Sequence, residues 1–352
     1  PYDVIDAAQL AALRAASPYN VSRLILGPTL DAEGWHAAAA ETLQRWLAEG
    51  VLRRETRPAY YGYQQTFTLP DGRCVTRSGV LGRLRLAPWG QGIHRHEHTR
   101  ARAREDRLQL LRATRCHLSP VFGLVADPDG AFCASLAAPQ QPWVDFTDAD
   151  GVRQTAWPIY DATRVAAIGR ALAEREVVIA DGHHRYETAL AYRDERRQVE
   201  AHPAGERPYD SVLAYLTARE DPGLCILPTH RIIAPEPRLE PMTLLRGLQE
   251  DFSLARCDDL AELLWALGDG GDHGPVFACC LGADGSWLLR PRDTDALRQR
   301  LSQGLPAELA ALDVAALQRL ILEPHLGISP HDLTQGERVR YTDKFDDPNL
   351  PG

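Results

Sequence analysis

Apolar side chains recur along the chain with two periods, one helical and one alternating. Over residues 31–50, Trp35, Leu43, Trp46 and Leu47 share one helical face, with Asp31 placed to cap the start and Gly50 to close the end. Residues 59–69 and 73–86 read as two strands joined across Asp71-Gly72, a hairpin. A very basic helix is predicted over 98–117, followed by short strands at 121–126 and 131–136. A helix at 161–175 leads into the apolar strand Val177-Val178-Ile179-Ala180. Asp181-Gly182-His183-His184-Arg185 then opens a helix that continues through residue 199. Further strands fit 211–218, 224–234, 275–281 and 286–290, and helices fit 241–250, 258–267, 294–303 and 306–322. Strands and helices mix without the regular alternation of a doubly wound sheet, so the expected class is mixed α+β. The expected organisation is an N-terminal α+β region at 1–157, a region at 158–335 carrying the His-His-Arg turn, and a polar tail at 336–352. One intertwined domain is the alternative.

Charge narrows the chemistry. The 352 residues carry a formal net charge of −9, and of the basic residues all but Lys344 are arginine. Arginine stays protonated and is a poor nucleophile, so it cannot replace lysine as a Schiff-base amine. Pyridoxal-phosphate enzymes, lysine aldolases, Walker-A ATPases and protein kinases need a lysine within a core motif, and none is present. The acidic balance argues against a nucleic-acid coat. Seven cysteines without CxxC spacing read as small buried residues in a reduced compartment. No apolar run is long enough to span a bilayer and no signal pattern opens the chain, so a cytoplasmic location is expected. The single methionine, Met242, leads to the expectation that residues precede Pro1.

The segment VVIADGHHRYETAL at 177–190 holds the densest chemistry. A helix start presents unpaired N–H groups and the positive end of the dipole. Gly182 lets an oxyanion approach the backbone, Arg185 offers a fork, and His183 and His184 can donate or shuttle protons. Asp181 could hold a divalent cation such as Mg²⁺, or anchor a histidine. These are the parts of a phosphate site. The plain alternative is an Asp-Gly turn with capping side chains.

His94, His96 and His98 would share a face on a strand, as a metal trio, but their arginine-rich continuation favours a loop or helix start. Glu97 is the candidate general base, against the alternative that it caps the basic helix. Among Arg100, Arg102, Arg104 and Arg107, either Arg104 or Arg107 could neutralise a phosphate; a solvated helix face is the bland reading. Thr229-His230-Arg231 ends an apolar strand, and His230 and Arg231 could line the same cleft or form a structural pair.

Asp-Gly-His-His-Arg after a strand resembles the phosphate-binding turn of the ParB/sulfiredoxin-like superfamily, which includes ParB-type nucleotide-binding domains, sulfiredoxins and free-serine kinases. The resemblance covers about 15 residues and implies a ParB/sulfiredoxin-like phosphate-binding core with additional mixed sheet and helices. A second resemblance spans nearly the whole chain. PYDVI, SPYNVSRLIL, YYGYQQTF, HEHT, EDRLQLLRATRCHLSPVFGL, IADGHHRYETALAYRDE, DPGLCILPTHR and LDVAALQRLILEPHLGI occur in the order of the uncharacterised bacterial domain of unknown function 1015 family. Tyr2, Asp3, Asn20 and Arg23 lie in these motifs. The chain departs from that family in lacking the usual lead-in, in its ending YTDKFDDPNLPG, and in Arg104, where the family pattern has lysine.

The superfamily resemblance implies a nucleotide-dependent phosphotransferase acting on a small hydroxyl-bearing metabolite, with serine among the candidates. ATP, ADP or CTP would be the donor, with Mg²⁺. Gly182, His183, His184, Arg185, Arg104, His230 and Arg231 would bind the nucleotide. His96, Glu97, Asp181 and His184 would carry the chemistry. The alternatives are a phosphate-ester or phosphodiester hydrolase and a nucleotide-binding switch without turnover.

Overall fold

The computed structural model describes residues 5–30, 32–69, 72–96, 101–200, 204–226, 230–234, 240–268, 274–335 and 338–342. The chain forms two compact units, Pro1–Cys225 and Ile226–Gly352. Both mix helices and sheet, in agreement with the α+β expectation.

The first unit opens with helices α1 (Ala7–Ala16), α2 (Ser22–Ile25) and α3 (His36–Ala48). Then come β1 (Tyr60–Thr68), β2 (Cys74–Arg85), β3 (Ile93–His94), α4 (Ala101–Thr114), β4 (Val121–Val125), α5 (Ala131–Ser135), β5 (Val144–Thr147) and β6 (Arg153–Ile159). The unit ends with α6 (Ala162–Ala173), β7 (Val177–Asp181), α7 (His183–Val199) and β8 (Ser211–Ala218). All eight strands join one sheet in the order β3-β7-β4-β8-β2-β1-β6-β5. β3 pairs parallel with β7, and β4 parallel with β8; the remaining neighbours are antiparallel.

Period-two burial makes one face of this sheet apolar. Val121 and Val125 of β4, Val177 and Ile179 of β7, and Val212, Ala214 and Leu216 of β8 are buried in one cluster. Phe132 of α5, Ile168 of α6, and Tyr186 and Ala189 of α7 complete it. Fully burying such a large apolar side chain stabilises the fold by roughly 1.5–3 kcal/mol. α7 is therefore fixed to the sheet by the side of it that carries Tyr186 and Ala189, which sets where its first turn points.

Four segments differ from the sequence reading. The strand expected at 131–136 is the short helix α5. The Asp127 carboxylate accepts from the backbone N–H groups of Phe132 (3.0 Å) and Cys133 (2.9 Å), satisfying first-turn donors. The β5–β6 hairpin was hidden in a polar stretch; its turn is held by Asp148, which accepts from Asp150 and Val152. The long helix expected at 306–322 is divided in the second unit, as follows.

That unit contains β9 (His230–Ile233), α8 (Pro241–Leu248), β10 (Phe252–Arg256), α9 (Leu260–Gly268), β11 (Phe277–Cys280) and β12 (Ser286–Pro291). Helices α10 (Thr294–Ser302), α11 (Ala307–Ala310) and α12 (Asp313–Leu317) follow. A π-helical turn at Gln318–Leu322, α13 (Glu323–Leu326), α14 (Pro330–Gln335) and β13 (Val339–Thr342) complete the unit. β10, β12 and β11 form one antiparallel sheet, and β13 pairs with β9 in another. Leu244, Leu248, Phe252, Leu289, Leu297, Leu301 and Leu320 form the main core. The strand expected at 224–234 is confined, among the described residues, to β9.

Candidate functional site

The turn between β7 and α7 is built as the residue types require. The β-branched run Val177-Val178-Ile179 forms the strand, and Gly182 takes φ 89°, ψ 29°, a conformation costly for any residue with a Cβ. A Cβ on Gly182 would also lie 3.0 Å from guanidinium atoms of Arg185. Gly182 supplies no side-chain cap, so the first turn of a 17-residue helix keeps its dipole end unneutralised by a capping oxygen.

Arg185 folds back over this glycine. It donates to Asp181 Oδ2 at 2.5 Å and to the Pro120 carbonyl. The guanidinium thus clasps the end of β7, the start of α7 and the loop before β4, and it lines a cavity of about 50 Å³ with Arg107, His117 and Thr188. Asp181 remains half exposed at its side chain.

The parallel pairing of β3 with β7 brings a distant segment to the same turn. Ile93 and His94 stand opposite Val177 and Val178, and Val177 N–H donates to the Gly92 carbonyl at 2.8 Å. The chain continues parallel to β7, so His96 arrives beside the strand end. His96 Nδ1 lies 2.9 Å from the Ile179 carbonyl oxygen. A carbonyl only accepts, so Nδ1 carries the proton and the neutral imidazole presents Nε2 as its basic nitrogen. His96 is exposed. Its backbone N–H points to His183 Nε2 at 3.5 Å, and the two rings meet edge to face at 4.5 Å. His183 is only 1% exposed, and Trp89 lies near-parallel to it at 6.2 Å. His183 is thus buried between the Trp89 and His96 rings, while His96 itself is exposed. His184, the next residue of α7, is half buried.

Glu187 was not singled out in the sequence. It lies on α7 four residues after His183, on the same face. Its side chain is 13% exposed. Trp89 Nε1 (3.3 Å), Arg95 (3.4 Å) and Arg104 (3.5 Å) all direct donors at its carboxylate. Arg95 also sits over the Trp89 ring at 5.7 Å. The helical spacing from the His-His pair was the available signal.

Other sequence candidates take structural places. Arg107 is buried, donates to the Ile25 carbonyl at 2.8 Å and to Asp106, and lies over Trp35. Burial pushes the Asp106 carboxyl up, but Arg107 and His36 outweigh it and hold it below the usual range. Asn20 Oδ1, just before α2, accepts from the Ser22 N–H, and Arg23 donates to the Arg14 carbonyl. His94 faces Glu176 at 3.4 Å, so it and His96 take different partners. Among the described residues, no group of three or more His, Cys, Asp and Glu is placed to hold a metal ion. His230 and Arg231 lie on β9 of the second unit, opposite Thr342 and Tyr341 of β13; Arg231 stands over the Tyr341 ring at 5.4 Å. Tyr2, Asp3, Glu97, His98, Arg100 and Thr229 lie outside the described residues.

A family model described as "Protein of unknown function (DUF1015)" matches residues 1–315. The chain belongs to this family. No curated protein and no solved structure matches it. No helix among the described residues is long and apolar enough to cross a membrane.

Proposed function

We propose that this member of the family is a nucleotide-dependent phosphotransferase acting on a small hydroxyl-bearing metabolite, with serine among the candidate acceptors. The observation that carries the reading is the placement of His96. Its Nδ1–H is committed to the Ile179 carbonyl, which leaves Nε2 as the basic nitrogen of an exposed residue whose ring meets His183 at the start of α7. A base and an anion-binding helix start at one strand end are the two parts that phosphoryl transfer needs.

In this reading the first-turn N–H groups and the helix dipole hold the phosphate chain. Arg95 and Arg104 reach Glu187 only at 3.4–3.5 Å, loose contacts that a phosphate oxygen could replace. His96 Nε2 takes the acceptor's hydroxyl proton while that oxygen bonds to the terminal phosphorus. The bond from phosphorus to the donor's bridging oxygen breaks, and the shortened nucleotide leaves with the electron pair. Asp181, half exposed and close to the turn, suits one carboxylate contact to Mg²⁺, whose remaining ligands are commonly phosphate oxygens and water. The ion would supply charge neutralisation. Arg185 holds the same carboxylate and keeps it oriented.

Because His96 is exposed, water can stand where the acceptor hydroxyl would. Hydrolysis of a phosphate ester is therefore the second reading. Incubating the full chain with Mg²⁺, ATP, ADP or CTP and a panel of hydroxyl-bearing metabolites, followed by phosphorus NMR, separates the two. A phosphorylated acceptor is the expected product. Nucleotide consumed at the same rate without acceptor replaces transfer by hydrolysis. Binding without consumption leaves a nucleotide switch, and absence of binding removes all three.

A further inference from the structure

The second unit contains a cavity of about 240 Å³ formed by the end of α9, residues 274–276, and helices α10, α11 and α12. All of its lining residues belong to this unit. Leu267, Val276, Leu297 and Leu301 give it apolar walls, while Arg298 and Asp313 place opposite charges at its lining. Both charged side chains are exposed, and neither enters an ion pair or side-chain hydrogen bond among the described residues. Three other arginines of this unit meet carboxylates: Arg300 is bidentate with Asp251, Arg256 pairs with Asp258, and Arg319 with Glu323.

An unmatched cation and an unmatched anion lining one apolar cavity suit a ligand that carries both charges and an apolar body. The volume is below the roughly 300–1,000 Å³ of sites for drug-sized ligands, and so fits a metabolite of amino-acid size. We propose that this cavity binds a free apolar α-amino acid. Arg298 receives the carboxylate as a planar fork, Asp313 receives the ammonium group, and the leucine walls enclose the side chain.

Titration calorimetry of the full chain with L-leucine, L-isoleucine and L-phenylalanine tests this directly. At least one should bind. 4-Methylpentanoate, which lacks the amine of leucine, and 3-methylbutylamine, which lacks its carboxylate, should each bind at least about tenfold more weakly than leucine. Arg298→Gln should cost at least about tenfold in affinity for the amino acid, and Arg298→Lys should restore part of it. Asp313→Asn should remove the preference for leucine over 4-methylpentanoate. Both positions are exposed, so these variants leave the core intact. Absence of heat with all three amino acids up to about 10 mM overturns the proposal. So does amino-acid binding that Arg298→Gln leaves unchanged. Neither result bears on phosphoryl transfer at the β7–α7 turn.

Discussion

The two ends of α7 use the same residue types to opposite effect. At its C-terminal end, arginines meet carboxylates in short, mostly two-point contacts. Arg197 holds Asp210 at 2.8 and 2.7 Å, and Arg112 of α4 holds Glu195 at 3.0 and 2.6 Å. Arg196 and the Tyr209 hydroxyl share Glu200. At the N-terminal end, Arg185 holds Asp181 at 2.5 Å, but the described donors Trp89, Arg95 and Arg104 reach Glu187 only at 3.3–3.5 Å, and the neighbouring His96 is exposed. Matched bidentate pairs fix the helix against the turn before β8 and against α4. Loose, shared contacts leave groups that can exchange partners. Charge density in the sequence does not separate these cases; contact geometry does.

The sharpest break in that comparison is His96→Gln. Removal of a general base typically costs about 100-fold or more in turnover. The variant should lose that factor in phosphorylated product by phosphorus NMR, with its urea midpoint close to that of the parent because the side chain is exposed. Loss of activity together with a large loss of stability would make His96 a structural residue like Arg197.

Asp210→Ala probes the other end. Asp210 is 5% exposed and accepts from Arg197 twice and from the Arg207 N–H. Removing it leaves those donors unmatched in a partly buried place, at a cost of about 2–3 kcal/mol by urea unfolding. Any phosphate-dependent activity measured on the folded variant should persist.

The same pair predicts a pH dependence. Hydrogen bonding from Arg197 is the main reason the Asp210 carboxyl sits below its usual range in the folded protein. The unfolded carboxyl titrates near about 3.9. The folded form therefore binds the proton less readily, and the stabilisation is complete above the ordinary value. It is lost as pH falls through the lower, folded value. Asp210→Asn should flatten the decline of stability below about pH 4; an unchanged slope would assign that decline to other carboxylates.

Gly182→Ala should cost about 1–2 kcal/mol, since alanine at φ 89° is strained and its Cβ meets the Arg185 guanidinium. A thermal melt that does not move would mean the turn can relax, and with it the Arg185 clasp.

The strand, the glycine and the helix of this site were legible in the sequence because each follows from local residue preference. β-Branched residues precede Asp-Gly, and a long stretch of helix formers follows. The meeting of His96 with Ile179 and His183 was not legible, because it depends on β3 pairing parallel with a strand more than 80 residues later. The role of Arg185 was misleading in isolation: a fork beside a glycine turn reads as open to phosphate, yet Pro120 and Asp181 already occupy it. Likewise the strand pattern at 131–136 lost to a side-chain cap from Asp127, a contact that periodicity does not reveal.

The smallest expected effect sharpens the comparison most finely. The contact of Arg104 with Glu187 is long, 3.5 Å, with the side chain nearly half exposed. A pair of this kind contributes about 0–1 kcal/mol, and lysine keeps the charge. Arg104→Lys should therefore change the urea midpoint by less than about 0.5 kcal/mol of stability. It should also leave phosphate-dependent activity within about twofold of the parent. Arg104→Glu reverses the charge beside Glu187 and should weaken nucleotide binding by about tenfold, measured by titration calorimetry. If Arg104→Glu binds nucleotide as the parent does, the cluster at Glu187 belongs with the structural pairs at the far end of α7, and the arginines of α4 take no part in holding phosphate.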